Sequence, residues 1–251
     1  MNSASRSSIQ MFGAYCGLAY MVSLLLGWWI IAGFLPPPSP STSLDAVAAL
    51  FQQDYTRIRI GMVIVMWAAL IFIPFAAVVS YFLSRVEGGF GVLSGSALLG
   101  GAGNMVLTFY PAIWWLVAAY RPDRPPEITY VFNDMAWLQF IGGVSMYDAL
   151  PLSIAVAAFC DKSPNPIFPK WLGYFNLLVV VLLLPDQLLF FFHAGPFSWA
   201  GLFGLWLPLS VFGAWFIVNF AVLRGVILRE RGAASESRIP VNANNAGTLR
   251  A

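Results

Sequence analysis

The sequence has 251 residues, of which 59% are hydrophobic and 10% are charged, whereas a soluble domain carries about 25% charged residues. This small number of charged residues cannot cover a water-exposed surface. The composition therefore excludes an ordinary soluble domain and predicts contact with the lipid bilayer. The net charge of +2 is spread over loops and tails, which excludes a continuous basic face for nucleic acid.

Six stretches are long and apolar enough to cross a bilayer. A transmembrane helix needs about 20 apolar residues because the hydrocarbon core is about 30 Å thick. These stretches cover residues 11–35, 60–84, 91–119, 134–159, 171–193 and 199–223. The sequence therefore predicts an all-α, polytopic bundle of about six transmembrane helices within residues 11–228, preceded by a cytoplasmic segment at 1–10.

The first loop and the C-terminal tail are the main polar regions. Residues 36–43 are rich in proline and serine, and residues 43–55 have the pattern of a short amphipathic helix capped by Ser43. We expect this helix to lie along the membrane interface or to cover the bundle. Residues 229–251 lack apolar periodicity, which predicts a disordered cytoplasmic tail.

The positive charges predict an orientation. With both termini on one side, that side carries every lysine and arginine except Arg57, Arg59, Arg121 and Arg124. Positively charged loops are retained in the cytoplasm. Both termini are therefore predicted to be cytoplasmic.

Tryptophans gather near the predicted outer ends of the helices. They are Trp28, Trp29, Trp114, Trp115, Trp137 and Trp199. Because indole rings favour the headgroup boundary, we expect an outer aromatic belt. The alternative is an aromatic cage for a ligand.

Asp148 is the clearest ionisable residue at membrane depth. It lies about 21 Å along the fourth stretch from Asp134 at the standard helical rise. An aspartate beside a proline break, here Pro151, can bind a cation, relay protons or accept a hydrogen bond from a substrate; the alternative is polar packing between helices. One helical stripe carries Asp134, Ile141, Ser145 and Asp148. Asn104, on a small polar face of the third stretch, has a similar depth, so the two residues are candidates for a shared site or for close packing.

Asp186 interrupts the apolar fifth stretch, and the single histidine, His193, follows on nearly the same helical face. A proton pathway through Asp186 and His193 is one hypothesis. The alternative places His193 at the interface or in the last turn of the helix.

Charged residues also cluster at the predicted outer end of the bundle, where Arg57, Arg59, Arg121 and Asp134 lie. Ion pairs between helices are the main expectation. A gate, or an anion site built on the arginines, is the alternative.

The sequence has neither a Walker A motif nor a nucleophile elbow. A single histidine excludes the multi-histidine metal sites of membrane hydroxylases and a bis-histidine haem. We therefore predict no metal site and no cofactor. The lack of these motifs and sites weakens the hypothesis of an enzyme more than the hypotheses of a transporter or an accessory subunit.

Several short motifs resemble those of a family of uncharacterised bacterial polytopic membrane proteins from actinobacteria and proteobacteria. The motifs are RIRIGM at 57–62, AYRPD at 119–123, NDMAW at 133–137, PKWLG at 169–173 and GPFSW at 195–199. The resemblance covers about residues 45–225. It implies a six-helix architecture and a location in the bacterial inner membrane, and it implies no activity.

Three functions follow in order of preference. The first is a small transporter or binder of an apolar or weakly polar molecule, with Asp148, Asn104 and Asp186 at its site. The second is a non-catalytic accessory subunit that binds another membrane protein. The third is a membrane enzyme that uses an aspartate as acid or base on a lipid or terpenoid.

Overall fold

The computed structural model describes residues 3–236, and within this range the chain is helical and contains no strand. The α-helices are α1 (Ser3–Leu25), α2 (Leu44–Gln53), α3 (Tyr55–Glu87), α4 (Val92–Tyr120), α5 (Pro126–Gly142), α6 (Ala149–Cys160), α7 (Lys170–Leu183) and α8 (Leu207–Glu236). Short 3-10 segments follow α5 and α7, and π-helical segments follow α1 and precede α8. The predicted all-α class is confirmed.

Six helical stretches of the described chain are long and apolar enough to cross a membrane. In chain order, spans 1 to 6 are Ser5–Ile31, Tyr55–Glu87, Val92–Tyr120, Pro126–Cys160, Lys170–Phe191 and Leu202–Ser235. The protein is an integral, multi-pass membrane protein.

The ends of the predicted regions differ in detail from the helices. The first helix begins at Ser3, inside the segment 1–10, and α8 continues to Glu236. It thus includes the start of the stretch 229–251 for which the sequence predicts disorder. Residues 237–251 lie outside the described residues.

The bundle has two ends, and hydrogen bonds between segments distant in sequence define them. At the terminus side, where α1 begins and α8 ends, Arg85 pairs with Glu230 at 2.7 Å. At the opposite or distal side, the indole of Trp199 donates to the Pro38 carbonyl at 2.9 Å. There the Ser41 hydroxyl also donates to the carbonyl of His193 at 3.1 Å. The first loop is thereby tied to the loop before span 6.

The predicted amphipathic helix is present as α2 and covers the distal end of the bundle. The Ser43 hydroxyl accepts from the Ala46 N–H at 3.4 Å and caps its first turn. Its apolar side is buried through Val47, Ala48 and Phe51. The helix packs mainly on α5, with further contacts to α3 and α4. The helix therefore covers one end of the spans and is packed firmly against them.

Span 4 is interrupted by a 3-10 turn at Gly143–Met146 between α5 and α6. Pro151 has no N–H to donate to the carbonyl four residues earlier, that of Tyr147. The Leu150 N–H donates to the Tyr147 carbonyl instead, at 2.9 Å. This three-residue hydrogen bond tightens the turn. Span 5 changes in the same way, from α7 to a 3-10 segment at Leu184–Phe191 that begins beside Pro185. Two neighbouring spans are thus broken within the membrane.

The tryptophans do not form the predicted outer belt. Trp28, Trp115, Trp137 and Trp199 are 1%, 0%, 0% and 6% exposed. The Trp137 ring lies 5.9 Å from that of Trp28, 5.1 Å from that of Trp115 and 6.2 Å from that of Trp199. Trp29 alone of the six is largely exposed, and Trp114 is partly buried. The four buried side chains, with Phe34 and Phe140, form what we call the tryptophan cluster.

The prediction was wrong because position along a helix gives depth in the membrane but not the direction of the side chain. An indole at the depth of the headgroups is equally able to face lipid or the bundle. In this chain four of them face inward and fill the distal half of the core.

Candidate functional site

A face of small residues on α4 lets this helix approach the broken part of span 4 closely. A Cβ added to Gly100 would lie 2.7 Å from the Leu150 nitrogen, and one added to Gly103 would lie 2.7 Å from the Met146 Cβ. Side chains at these positions would separate the two spans. Asn104 follows on the same helix, about 18 Å from its start, and is fully buried. The α4 face thus positions Asn104 beside the break.

A cavity of about 70 Å³ lies in the centre of the bundle. Its polar lining residues are Tyr20 from span 1, Asn104 and Thr108 from span 3, and Asp186 from span 5. The remaining lining is apolar and includes Phe140, Val144, Leu183, Leu205, Leu209 and Phe212. Spans 1, 3, 4, 5 and 6 all contribute, so the cavity is a meeting point of most of the bundle.

Two of the polar side chains in this cavity, Tyr20 and Thr108, are hydrogen-bonded to each other. The hydroxyls of Tyr20 and Thr108 are 2.8 Å apart. Thr108 also donates to the Asn104 carbonyl at 2.9 Å, one turn earlier on the same helix. This pair joins span 1 to span 3.

The other two polar side chains have unused hydrogen-bonding capacity. Asn104 is 0% exposed and Asp186 is 2% exposed. Three of their side-chain atoms, the Asn104 Oδ1 and Nδ2 and the Asp186 Oδ1, have no hydrogen-bond partner within the described residues. Tyr20 lies beside Asn104 without hydrogen-bonding geometry. An unpaired buried polar group costs about 1–3 kcal/mol, so this arrangement favours a molecule that supplies the missing hydrogen bonds.

Asp148 lies next to the cavity but does not line it. It is buried at the start of α6, and its Oδ1 has no hydrogen-bond partner in residues 3–236. It is close enough to Asp186 and to Tyr147 for electrostatic interaction. The fold therefore brings together two carboxyl groups that stand isolated from each other in the sequence.

The predicted stripe through Asp134, Ile141, Ser145 and Asp148 is not continuous. Ser145 is exposed, whereas Ile141 and Asp148 are buried. A 3-10 turn advances with three residues per turn instead of 3.6, so the break rotates the second half of span 4 relative to the first. The direction of Asp148 is set by this turn.

The structure does not bring His193 to Asp186. His193 is exposed in the loop that follows the 3-10 segment, whereas Asp186 is buried at the start of that segment. His193 lies instead within range of an electrostatic interaction with Asp134. The expectation of a shared face assumed a continuous α-helix, and the 3-10 segment removes that phase relation.

Among residues 3–236, the outer arginines form none of the predicted ion pairs between spans. Arg57 pairs with Asp54 at 3.3 Å, directly before its own helix, and its Nε donates to the Ile31 carbonyl at 3.2 Å. Arg59 and Arg121 instead stand over the ring of Tyr120, at 5.8 and 6.0 Å from its centre. Asp134 has an Oδ1 without a hydrogen-bond partner among the described side chains.

Gln187 was not among the predicted site residues, yet it links the two broken spans. Its Nε2 donates to the Gly142 carbonyl at 2.7 Å, at the end of α5 where the regular helix stops. The available signal was its place in the polar triplet 185–187 within an apolar stretch. Tyr20 was also missed, because a tyrosine in an apolar stretch suggests the interface more readily than the core.

In the described residues, no group of three or more histidine, cysteine, aspartate or glutamate side chains is arranged to hold a metal ion. Comparison of the chain with protein-family models, with curated proteins and with solved structures finds no match.

Proposed function

We propose that the protein binds a small, weakly polar molecule in its central cavity and that it transports this molecule or presents it to the membrane. The observation that carries the proposal is the pair of buried side chains, Asn104 and Asp186, that line one cavity with hydrogen-bonding atoms left unpaired within the described structure. An amide offers both a donor and an acceptor, so a ligand with a hydroxyl or carbonyl group fits this site.

The size of the cavity limits the ligand. Its volume of about 70 Å³ is well below the roughly 300–1,000 Å³ of a site for a drug-sized molecule. The largely apolar wall favours a short alcohol, ketone or phenol over a sugar or a charged metabolite. The same volume disfavours an enzyme that acts on a lipid or terpenoid.

The broken helices support transport over static binding. Many secondary transporters bind their substrate near the bilayer midplane, where discontinuous helices leave backbone groups free. Spans 4 and 5 are both interrupted beside the cavity. Asp148 and Asp186 approach each other at this point, and we propose that they move a proton together with the ligand.

A binding experiment tests this function. The purified protein in lipid nanodiscs is probed by saturation-transfer NMR with short alcohols, ketones and phenols, and co-purifying small molecules are identified by mass spectrometry. We expect Asn104→Leu and Asp186→Leu to abolish the signals of the compounds that bind the native protein. Uptake of the best-binding compound into proteoliposomes then separates a transporter from a binder.

Asn219→Leu is the matched control, because Asn219 is also buried but donates within its own helix, to the Trp215 carbonyl at 2.9 Å, and does not line the cavity. It should bind as the native protein does. Equal NMR signals and equal co-purified molecules in the native protein and Asn104→Leu would contradict the proposal.

We also propose a location in the bacterial cytoplasmic membrane with both termini inside. The resemblance of several short motifs to those of bacterial polytopic proteins supports the location, and the excess of lysine and arginine on the side of the termini supports the orientation. Cys160 is a natural probe, since it is exposed at the end of α6 on the terminus side, whereas Cys16 is buried. A membrane-impermeant maleimide should label Cys160 in inverted vesicles and spare it in intact cells, and the reverse pattern would contradict the orientation.

A further inference from the structure

A groove of about 640 Å³ lies on the membrane-facing surface between α3 and α4 at the distal side. Its lining consists of Thr56, Arg59, Ile60, Val63, Ile64, Leu116 and Tyr120. From Thr56 to Ile64 it extends about 12 Å along the helix axis, compared with about 15 Å for one leaflet of the hydrocarbon core. The apolar part, from Ile60 to Ile64, accounts for about 6 Å of this length, so the groove can hold the first part of one acyl chain.

The deep part of the groove is apolar and its distal end is cationic. Ile60 and Val63 are largely exposed along its length. At its distal end the Arg59 guanidinium stands over the Tyr120 ring, 5.8 Å from the ring centre. The Arg121 guanidinium, which lies outside the groove lining, is 6.0 Å from the same centre. Two positive charges are thus held about one tyrosine ring at the depth where α3 begins and α4 ends.

These two arginines differ from the other arginines on the same side. Arg57 pairs with Asp54, and Arg124 donates to the Val117 carbonyl at 2.9 Å. In the described part of the chain, neither Arg59 nor Arg121 has a carboxylate oxygen within 4 Å. Groups of the protein itself thus engage Arg57 and Arg124, whereas Arg59 and Arg121 form no ion pair among the described residues, although Arg121 shares a surface depression with Asp123.

We propose that this groove is a binding site for an anionic phospholipid, with the phosphate at Arg59 and Arg121 and one acyl chain along Ile60 and Val63. Guanidinium groups bind phosphate oxygens with charge-assisted, often bidentate hydrogen bonds. The apolar lining matches an acyl chain, and the two unpaired cations match a negatively charged headgroup. This site is separate from the central cavity and does not depend on its function.

Native mass spectrometry of the detergent-solubilised protein tests the site, with phosphatidylglycerol and phosphatidylcholine added in equal amounts. We expect the native protein to retain phosphatidylglycerol preferentially. Since each basic residue near a membrane surface contributes about 1 kcal/mol, the double variant Arg59→Gln/Arg121→Gln should bind phosphatidylglycerol about thirtyfold more weakly. The Arg124→Gln variant removes one charge from the same side and should retain the native preference.

A second variant tests the apolar part separately. Val63→Trp fills the groove while both arginines remain, so we expect it to lower the retention of both phospholipids. Equal retention of the two lipids by the native protein, equal binding by the double variant, or an equal loss in Arg124→Gln would overturn the proposal. Free phosphate, added in excess, should leave the retained phosphatidylglycerol in place, and its displacement by phosphate would reject the acyl-chain contact.

Discussion

The tryptophan cluster and the central cavity are neighbouring parts of one core and are built largely from the same spans. They differ in how completely side chains fill the buried space. The Phe140 ring belongs to both: it lies 5.3 Å from the ring of Trp28 and 5.5 Å from that of Trp115, and it also lines the cavity. On one side of this ring, aromatic side chains fill the space. On the other side, space and unpaired polar atoms remain.

An unpaired buried polar atom can be reached by a ligand only where it borders a cavity. The indole N–H groups of Trp28 and Trp115 are also without hydrogen-bond partners within residues 3–236, but these residues do not line the cavity. Asn104 and Asp186 combine both properties. This contrast supports a packing role for the tryptophan cluster and is the basis on which we propose ligand binding in the cavity.

The largest expected effect separates these roles by stability. Trp137→Ala removes a side chain that is 0% exposed and contacts several rings of the tryptophan cluster, so it should lower the free energy of unfolding by about 3–5 kcal/mol. Unfolding in a denaturing detergent, followed by circular dichroism, measures this loss. The control Trp67→Ala alters a tryptophan that is 59% exposed, and a similar loss there would show that the cluster is not a special source of stability.

A smaller effect is expected at the link between the two broken spans. Gln187→Leu keeps a side chain of similar size but leaves the Gly142 carbonyl without its donor at 2.7 Å, which should cost about 1–3 kcal/mol. Ser210→Ala removes only a bond within span 6, from Ser210 in α8 to the Trp206 carbonyl in the preceding π-helical segment, and should cost less than about 0.5 kcal/mol. Equal unfolding midpoints for the two variants would mean that Gln187 does not brace the break.

The smallest effect on stability is expected in the cavity itself. Asn104→Leu replaces unpaired polar atoms by an apolar group of similar size, so the free energy of unfolding should stay within about 0.5 kcal/mol of the native value or rise. Ligand binding should nevertheless be lost. A loss of stability comparable to that of Trp137→Ala would show that Asn104 is a packing residue, and the comparison between the two regions would fail.

Parts of the site were predictable from single residues. Asn104 and Asp148 were expected at similar depth, and the structure buries both beside the break in span 4. The closeness of Asp148 and Asp186 was not predictable, because it depends on two 3-10 segments and on the packing of span 4 against span 5. The hypothesis of a pathway through Asp186 and His193 assumed an uninterrupted α-helix, whereas the exposed position of His193 after the 3-10 segment agrees with the alternative of an interfacial residue.

Composition and hydropathy alone identify an all-α membrane protein with six spans, because runs of about 20 apolar residues have few other stable environments. Proline positions alone do not predict the interruptions of spans 4 and 5, since Pro74 and Pro111 lie inside the continuous helices α3 and α4. These interruptions, and the directions in which the tryptophans and aspartates face, became known only from the tertiary structure. Hydropathy describes how far along a helix a residue lies, whereas the direction of its side chain depends on local helical phase and on the neighbouring helices.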